Sequence, residues 1–172
     1  PKTYLKLAMG IAPVHAMRRA GVAVGLGTDG AVSNNTLDAW ESMRLMALTQ
    51  KEATGAPENL TLAETLVLAT RGGAQVVGLG DKLGAVEPGR LADLILVDLD
   101  GAHHQPLHNV PASLVYAARA SDVRTVIVAG RVIMRDRRLL TLDKAEIIRQ
   151  VNRSLERLSR RTPESRIQVY RP

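Results

Sequence analysis

Cysteine and phenylalanine are absent from this sequence of 172 residues, and aromatic residues make up only 2% of it. Without cysteine there is neither a disulfide frame nor a thiolate metal site. With so few rings there is no platform on which single-stranded nucleic acid could stack. No apolar run approaches the roughly 18 residues that span a bilayer, and no signal-type start is present. A soluble, cytoplasmic protein with no membrane contact is therefore the expectation.

What is there suits a globular chain. Hydrophobic residues form 45% of the sequence, enough to fill the core of one large or two small domains. The formal charge is +6, and much of it gathers in the last third, at Arg135, Arg137, Arg138, Arg149, Arg153, Arg157, Arg160, Arg161, Arg166 and Arg171. Such a cluster reads first as a solvated face, or as a surface that pairs with acidic sequence elsewhere. A non-catalytic oligomerising or nucleic-acid-contacting piece is the alternative it leaves open. The opening residues read as the interior of a domain, so the chain is expected to be the C-terminal portion of a longer protein.

Periodicity and punctuation divide the chain. Residues 1–10 read as a loop. Ile11 to Ala20 reads as a short helix stopped by Gly21, with His15 as a surface or packing histidine rather than a ligand. Val22 to Leu26 is predicted to be a buried strand. Asn35 or Thr36 can cap a helix from Leu37 to about Thr54. Thr61 and Glu64 fit a capping box for a second helix to about Leu79, with Leu62, Leu66, Ala69, Gly73 and Val76 on its apolar stripe. Beyond Gly80 the pattern turns to strands: Leu91 to Val97, a hairpin over Val123 to Met134 turning at Ala129-Gly130, and a short strand from Arg138 to Leu142. Leu114 to Ala118 is ambiguous. Asp143 and Glu146 open a last helix to about Arg161, with Leu142 and Ile147 as a hydrophobic staple and Ile147, Val151, Leu155 and Leu158 on one face. A polar tail follows from Thr162 to Pro172.

Three places could carry chemistry. Gly25-Leu-Gly-Thr-Asp-Gly30 satisfies G-x-G-x-x-G after a strand, but a pyrophosphate cradle has no use for the negative charge of Asp29, and the next element is not a second strand. His103, His104 and His108 have a spacing that could hold a metal on a helix, yet Pro106 breaks that helix and favours a loop of exposed or packed imidazoles. Asp29 stands at the C-terminal end of an apolar strand, where barrels and open α/β folds gather their chemical groups. From spacing alone it is equally an aspartate that closes an Asx turn.

Read together, Gly27-Thr-Asp-Gly30 with Ser33-Asn34, Gly84-Ala-Val-Glu-Pro-Gly-Arg-Leu-Ala-Asp-Leu-Ile-Leu-Val-Asp98, and Val123-Arg-Thr-Val-Ile-Val-Ala-Gly-Arg131 resemble the C-terminal part of the amidohydrolase superfamily. The branch they look most similar to is that of the cytosine deaminase-like and methylthioadenosine/S-adenosylhomocysteine deaminases. The resemblance implies an α/β fold. Residues 1–81 would be the end of a metal-dependent hydrolase TIM (β/α)8 barrel with a helical extension, Val22 to Leu26 being its last strand. Residues 82–142 would be part of a small β-sandwich, and residues 143–172 a C-terminal helix and tail packing back on the barrel.

It further implies that Asp29 binds the catalytic divalent metal, zinc first and iron as the alternative, and handles the proton of the water that the metal activates. Ser33 and Asn34 would lie at the barrel mouth, where they could touch substrate, a nitrogen heterocycle or nucleoside that is deaminated, or equally serve only to form the turn. The superfamily's His-x-His pair, its other metal-binding histidines and its proton-shuttling glutamate have no counterpart here and are expected upstream. A homo-oligomer is implied, and these 172 residues alone are expected to be inactive.

Overall fold

In the computed structural model the described residues are 1–161, with side chains described through Leu158. The predicted tail from Thr162 to Pro172 lies outside them. Helices fill the first half of the chain; the second holds a small antiparallel sheet, short helical turns and a long last helix.

The predicted loop at the start contains a helix, α1 (Lys2–Lys6). Five residues are too few to hold a helix by themselves. Tertiary anchors do it: Lys2 pairs with Glu41 at 2.8 Å, and Lys6 donates to the Ser33 carbonyl at 2.7 Å. Helix α2 (Val14–Arg19) is shorter than the predicted span, because Pro13 sits at its N-cap. The segment after Gly21 is extended but is not a strand, since no strand among the described residues pairs with it. Nor is it fully buried there; Val22 is 48% exposed. Its inner residues Val24 and Leu26 do pack on the core.

After the single turn α3 (Ala31–Asn34), helix α4 runs over Ala39–Thr54. Its cap is Asp38, three residues after Asn35 and two after Thr36, because the Asp38 carboxylate accepts the Trp40 and Glu41 N–H groups at 2.8 and 3.2 Å. Leu37, predicted to be the first helical residue, has φ 52° and lies outside. Gly55, at φ 61°, ends the helix in the left-handed conformation glycine adopts without a Cβ penalty.

The Thr61–Glu64 capping box forms as read. The helix behind it differs from the expectation. It is α5 (Leu62–Val67), then a π-helical turn (Leu68–Gly72), then α6 (Gly73–Val76). The wide turn inserts an extra residue and rotates the inward face. Thr65, Leu68, Gly72 and Ala74 are buried, whereas Ala69 and Val76 of the expected stripe are exposed. Two clusters make the core: Val14, Met46, Leu60 and Leu68 in one, Met43, Ala47 and Val115 in the other. Leu26 packs against both.

The sheet is β1 (Leu94–Val97), β2 (Val123–Val128), β3 (Arg131–Arg135) and β4 (Arg138–Leu139), antiparallel in that order. Ala129 and Gly130 turn the β2–β3 hairpin with φ 48° and 77°, the two positive values that match the twist of the strands. Between β1 and β2 the ambiguous segment is helical, α7 (Val110–Ala112) followed by a second π-helical turn over Ser113–Ala117 that buries Val115.

Helix α8 (Lys144–Arg161) starts as expected, with Asp143 accepting the Glu146 N–H at 3.0 Å. Its box is only half formed, because the Glu146 carboxylate turns to Arg149, Gln150 and Arg153 instead. The staple does not close against a core either: Leu142 and Ile147 are both exposed. Val151, Leu155 and Leu158 share that exposure with Ile147, so the apolar face of α8 is largely open to solvent. None of the helices described is long and apolar enough to cross a membrane.

Candidate functional site

Asp29 follows the extended Val22–Leu26 segment and lies at φ 64°, a left-handed conformation uncommon outside glycine and strained for a residue with a Cβ. The chain holds it there by local bonds. The Gly30 N–H donates to Asp29 Oδ1 at 2.7 Å, and the Ser33 hydroxyl donates to Asp29 Oδ2 at 2.7 Å. These donors favour the ionised form, Ser33 most and then Gly30, and hold the carboxyl below its ordinary value of 3.8. The carboxylate is solvent-exposed and ionised at neutral pH.

Ser33 and Asn34 are drawn to this loop, each by a different contact. Ser33 touches Asp29 directly. Asn34 is 1% exposed, donates to the Thr28 carbonyl and accepts from the Thr36 hydroxyl at 3.1 Å. Both ends of its amide are engaged in shaping the turn. Lys6 closes the loop from the other side, donating to the Ser33 carbonyl and to Asn35 Oδ1 at 2.6 Å.

The Asp29 titration gives a direct check. Because its folded value is depressed, the stability its ionised form contributes is present above 3.8 and is lost as pH falls through the folded value. Removing the hydroxyl with Ser33→Ala should move the titration midpoint of the Asp29 carboxyl upward, toward 3.8, in metal-free protein. Carboxyl-carbon NMR reads this shift, and an unchanged midpoint would show that Ser33 does not hold the group.

A second cluster lies apart from Asp29 in sequence. The expected loop of histidines is a 3₁₀ turn, Ala102–His104, ending before a cis Gln105–Pro106 bond. His104 is buried, with Nδ1 2.5 Å from Ser113 Oγ and Nε2 3.3 Å from Asp122 Oδ2. His103 Nε2 lies 3.0 Å from the same oxygen, and the Arg119 N–H donates to it at 2.7 Å. Burial opposes the charge of Asp122, yet His103, the Arg119 amide and His104 outweigh it and lower the pKa. Ligand atoms of His103, His104 and Asp122 come within 4.8 Å of one another, close enough for a metal. No buried side-chain nitrogen or oxygen of the three lacks a partner, and the arrangement works as a hydrogen-bonded clamp between the segments on either side of α7. Sequence reasoning missed this clamp because Asp122 is 18 residues from His104 and has no patterned spacing to it.

Residues 1–133 match the amidohydrolase family, and the chain belongs to it. The chain is 51% identical over 158 residues to 5-methylthioadenosine/S-adenosylhomocysteine deaminase from Desulforudis audaxviator (strain MP104C), covering 92% of this chain and 37% of that protein. It is 49% identical to the protein of the same name from Pelotomaculum thermopropionicum, over 94% of this chain and 37% of that one. Among solved structures, an adenosine deaminase from Xanthomonas campestris with bound zinc superposes with TM-score 0.89 at 39% identity, over 91% of this chain and 36% of the other. An atrazine chlorohydrolase from Arthrobacter aurescens TC1 complexed with zinc gives TM-score 0.79 at 31% identity, over 88% and 34%. The chain thus spans little more than a third of the curated relatives it matches.

Proposed function

We propose that this chain is the C-terminal portion of a metal-dependent amidohydrolase that hydrolyses a C–N bond of an adenosine-type nucleoside or related nitrogen heterocycle, releasing ammonia. The observation that carries the reading is the Asp29 carboxylate, ionised, exposed and fixed by Gly30 and Ser33 in a strained turn. The identity to methylthioadenosine/S-adenosylhomocysteine deaminases supports the substrate class. Residues 1–81 would close a (β/α)8 barrel with the unpaired Val22–Leu26 segment as its last strand. Residues 82–142 would contribute one part of a β-sandwich, and residues 143–172 would pack back on the barrel. The exposed apolar face of α8 and the open sheet are consistent with partners supplied by sequence outside this chain.

The Asp29 carboxylate suits a divalent cation, with zinc, which takes Asp and Glu oxygens as ligands, as the first choice and iron as the alternative. Each Asp29 oxygen accepts one hydrogen bond from the chain and keeps lone-pair capacity for a ligand bond. One carboxylate does not make a site, so the remaining ligands would come from outside these residues. When bound, such a cation brings the pKa of a coordinated water to about 7 and so supplies hydroxide at neutral pH. Asp29 stays ionised, and its carboxylate can accept the proton released by water and return it to the departing amine nitrogen. Ser33 and Gly30 keep the accepting oxygens aimed while this proton moves.

The test is an ammonia-release assay on the full-length protein with 5′-methylthioadenosine, S-adenosylhomocysteine and adenosine. Turnover of at least one, abolished by chelation and restored by zinc, is the expected result. No release from any of them with metal bound would overturn the nucleoside assignment.

A further inference from the structure

Besides the packing of Val24 and Leu26 on the core, the segment that carries Asp29 is gripped by direct backbone contact. A Cβ added at Gly25 would lie 2.7 Å from Gly73 Cα and 3.1 Å from the Gly72 carbonyl oxygen. One added at Gly72 would lie 2.5 Å from the Val24 carbonyl oxygen. Real side chains do not tolerate such distances to backbone, so the two chains touch here only because both positions lack a Cβ. At the same seam the Leu26 N–H donates to the Leu68 carbonyl at 3.1 Å. Leu68 and Gly72 are the first and last residues of the π-helical turn, whose widened backbone brings both to the extended segment. Irregular turns of this kind recur where helices meet functional sites.

The other side of the turn is backed in the same way. A Cβ at Gly84 would lie 2.7 Å from Arg71 Cα and 3.0 Å from the Thr70 carbonyl oxygen. Arg90 holds the Gly84 loop closed, donating to the Gly80 and Leu83 carbonyls at 2.6 and 3.1 Å and pairing with Glu87, which also pairs with Arg71. The turn therefore sits between two backbones that abut it through glycine. Leu26, anchored to it, is three residues before Asp29.

We infer that the Gly25·Gly72 seam fixes the position of the Asp29 carboxylate, making Gly72 a positioning residue for the metal-ligand aspartate. The inference rests on Asp29 being that ligand. A displacement of about 1 Å at a reacting group costs on the order of 10²-fold, and a Cβ at Gly72 forces a shift on this scale into the segment. Gly73 supplies the comparison, because its added Cβ meets nothing nearer than the Leu68 carbonyl at 4.0 Å.

The experiment measures zinc dissociation constants of the full-length protein by chelator competition, for wild type, Gly72→Ala, Gly73→Ala and Asp29→Asn. Gly72→Ala should weaken zinc binding about 10- to 100-fold, the range for groups that hold a ligand from behind, while Gly73→Ala leaves it unchanged. A second measurement needs no variant. By reciprocity, if the seam supports the ligand then zinc must stabilise the seam, so the Leu26 amide should exchange with deuterium more slowly in zinc-loaded than in metal-free wild type. This decides the matter even if Gly72→Ala does not fold. Wild-type zinc affinity in folded Gly72→Ala, or Leu26 exchange indifferent to zinc, would overturn the inference while a weakened Asp29→Asn left the metal-ligand reading standing. Unchanged affinity in Asp29→Asn would overturn both.

Discussion

In the full-length protein, Asp29→Ala should reduce kcat by at least about 10² to 10⁴-fold, the contribution of one well-placed proton-transfer group, and should weaken metal binding as well. The double loss is the point of the prediction. Removing a group that only positions a metal ligand lowers affinity by about 10- to 100-fold, so removing the ligand itself should cost more. Asp29→Asn separates the two roles, because the amide keeps the shape and one oxygen but cannot carry the charge or take the proton. Its zinc affinity should fall less than that of the alanine variant, and its kcat about as far. Steady-state kinetics with metal analysis of each purified variant would show this. Normal turnover with normal metal content in Asp29→Ala would end the assignment and leave Asp29 as a turn-closing residue.

The largest effect on stability is expected at Asp122→Ala. The carboxylate accepts from His103, His104 and the Arg119 amide, and its side chain is only 8% exposed. Its removal leaves the buried His104 donor without its partner, at about 1–3 kcal/mol for an unsatisfied buried group. A loss of about 1–3 kcal/mol in urea unfolding is expected. The pH dependence has a definite sign. Asp122 titrates below its ordinary 3.8 in the folded chain, so its contribution is in place above 3.8 and disappears as pH falls through the lowered folded value. The gap between wild type and Asp122→Ala should therefore be full at neutral pH and close in acid. A gap that widened in acid would mean that the clamp does not depend on an ionised Asp122.

These two aspartates differ in how far the sequence reveals them. Asp29 stands out because an apolar run delivers it between glycines, and the surrounding motif resembles one superfamily. Asp122 does not, because its partners are brought to it by the folding of residues 99 to 119, with a cis proline bond and a π-helical turn between them. Asn34 shows a third case. The sequence offers it equally as a substrate contact and as a turn former, and the structure engages both ends of its amide inside the turn.

Local rules by themselves determined the Thr61–Glu64 capping box, the Ala129–Gly130 hairpin and the stops at Gly21 and Gly55, since each depends on hydrogen bonds and dihedral preferences within a few residues. The sequence also determined family membership, through motifs that survive in order along the chain. Tertiary structure decided the rest. Whether Val22–Leu26 is a strand depends on a neighbour to pair with, and no partner for it lies among the described residues. Which face of residues 62–76 turns inward was set by the π-helical turn, whose register follows from the close approach of Gly25 to Gly72 and not from apolar spacing. The strained φ of Asp29 is likewise invisible in its neighbours' identities, because it is held by the Ser33 and Gly30 bonds that exist only once the loop has closed.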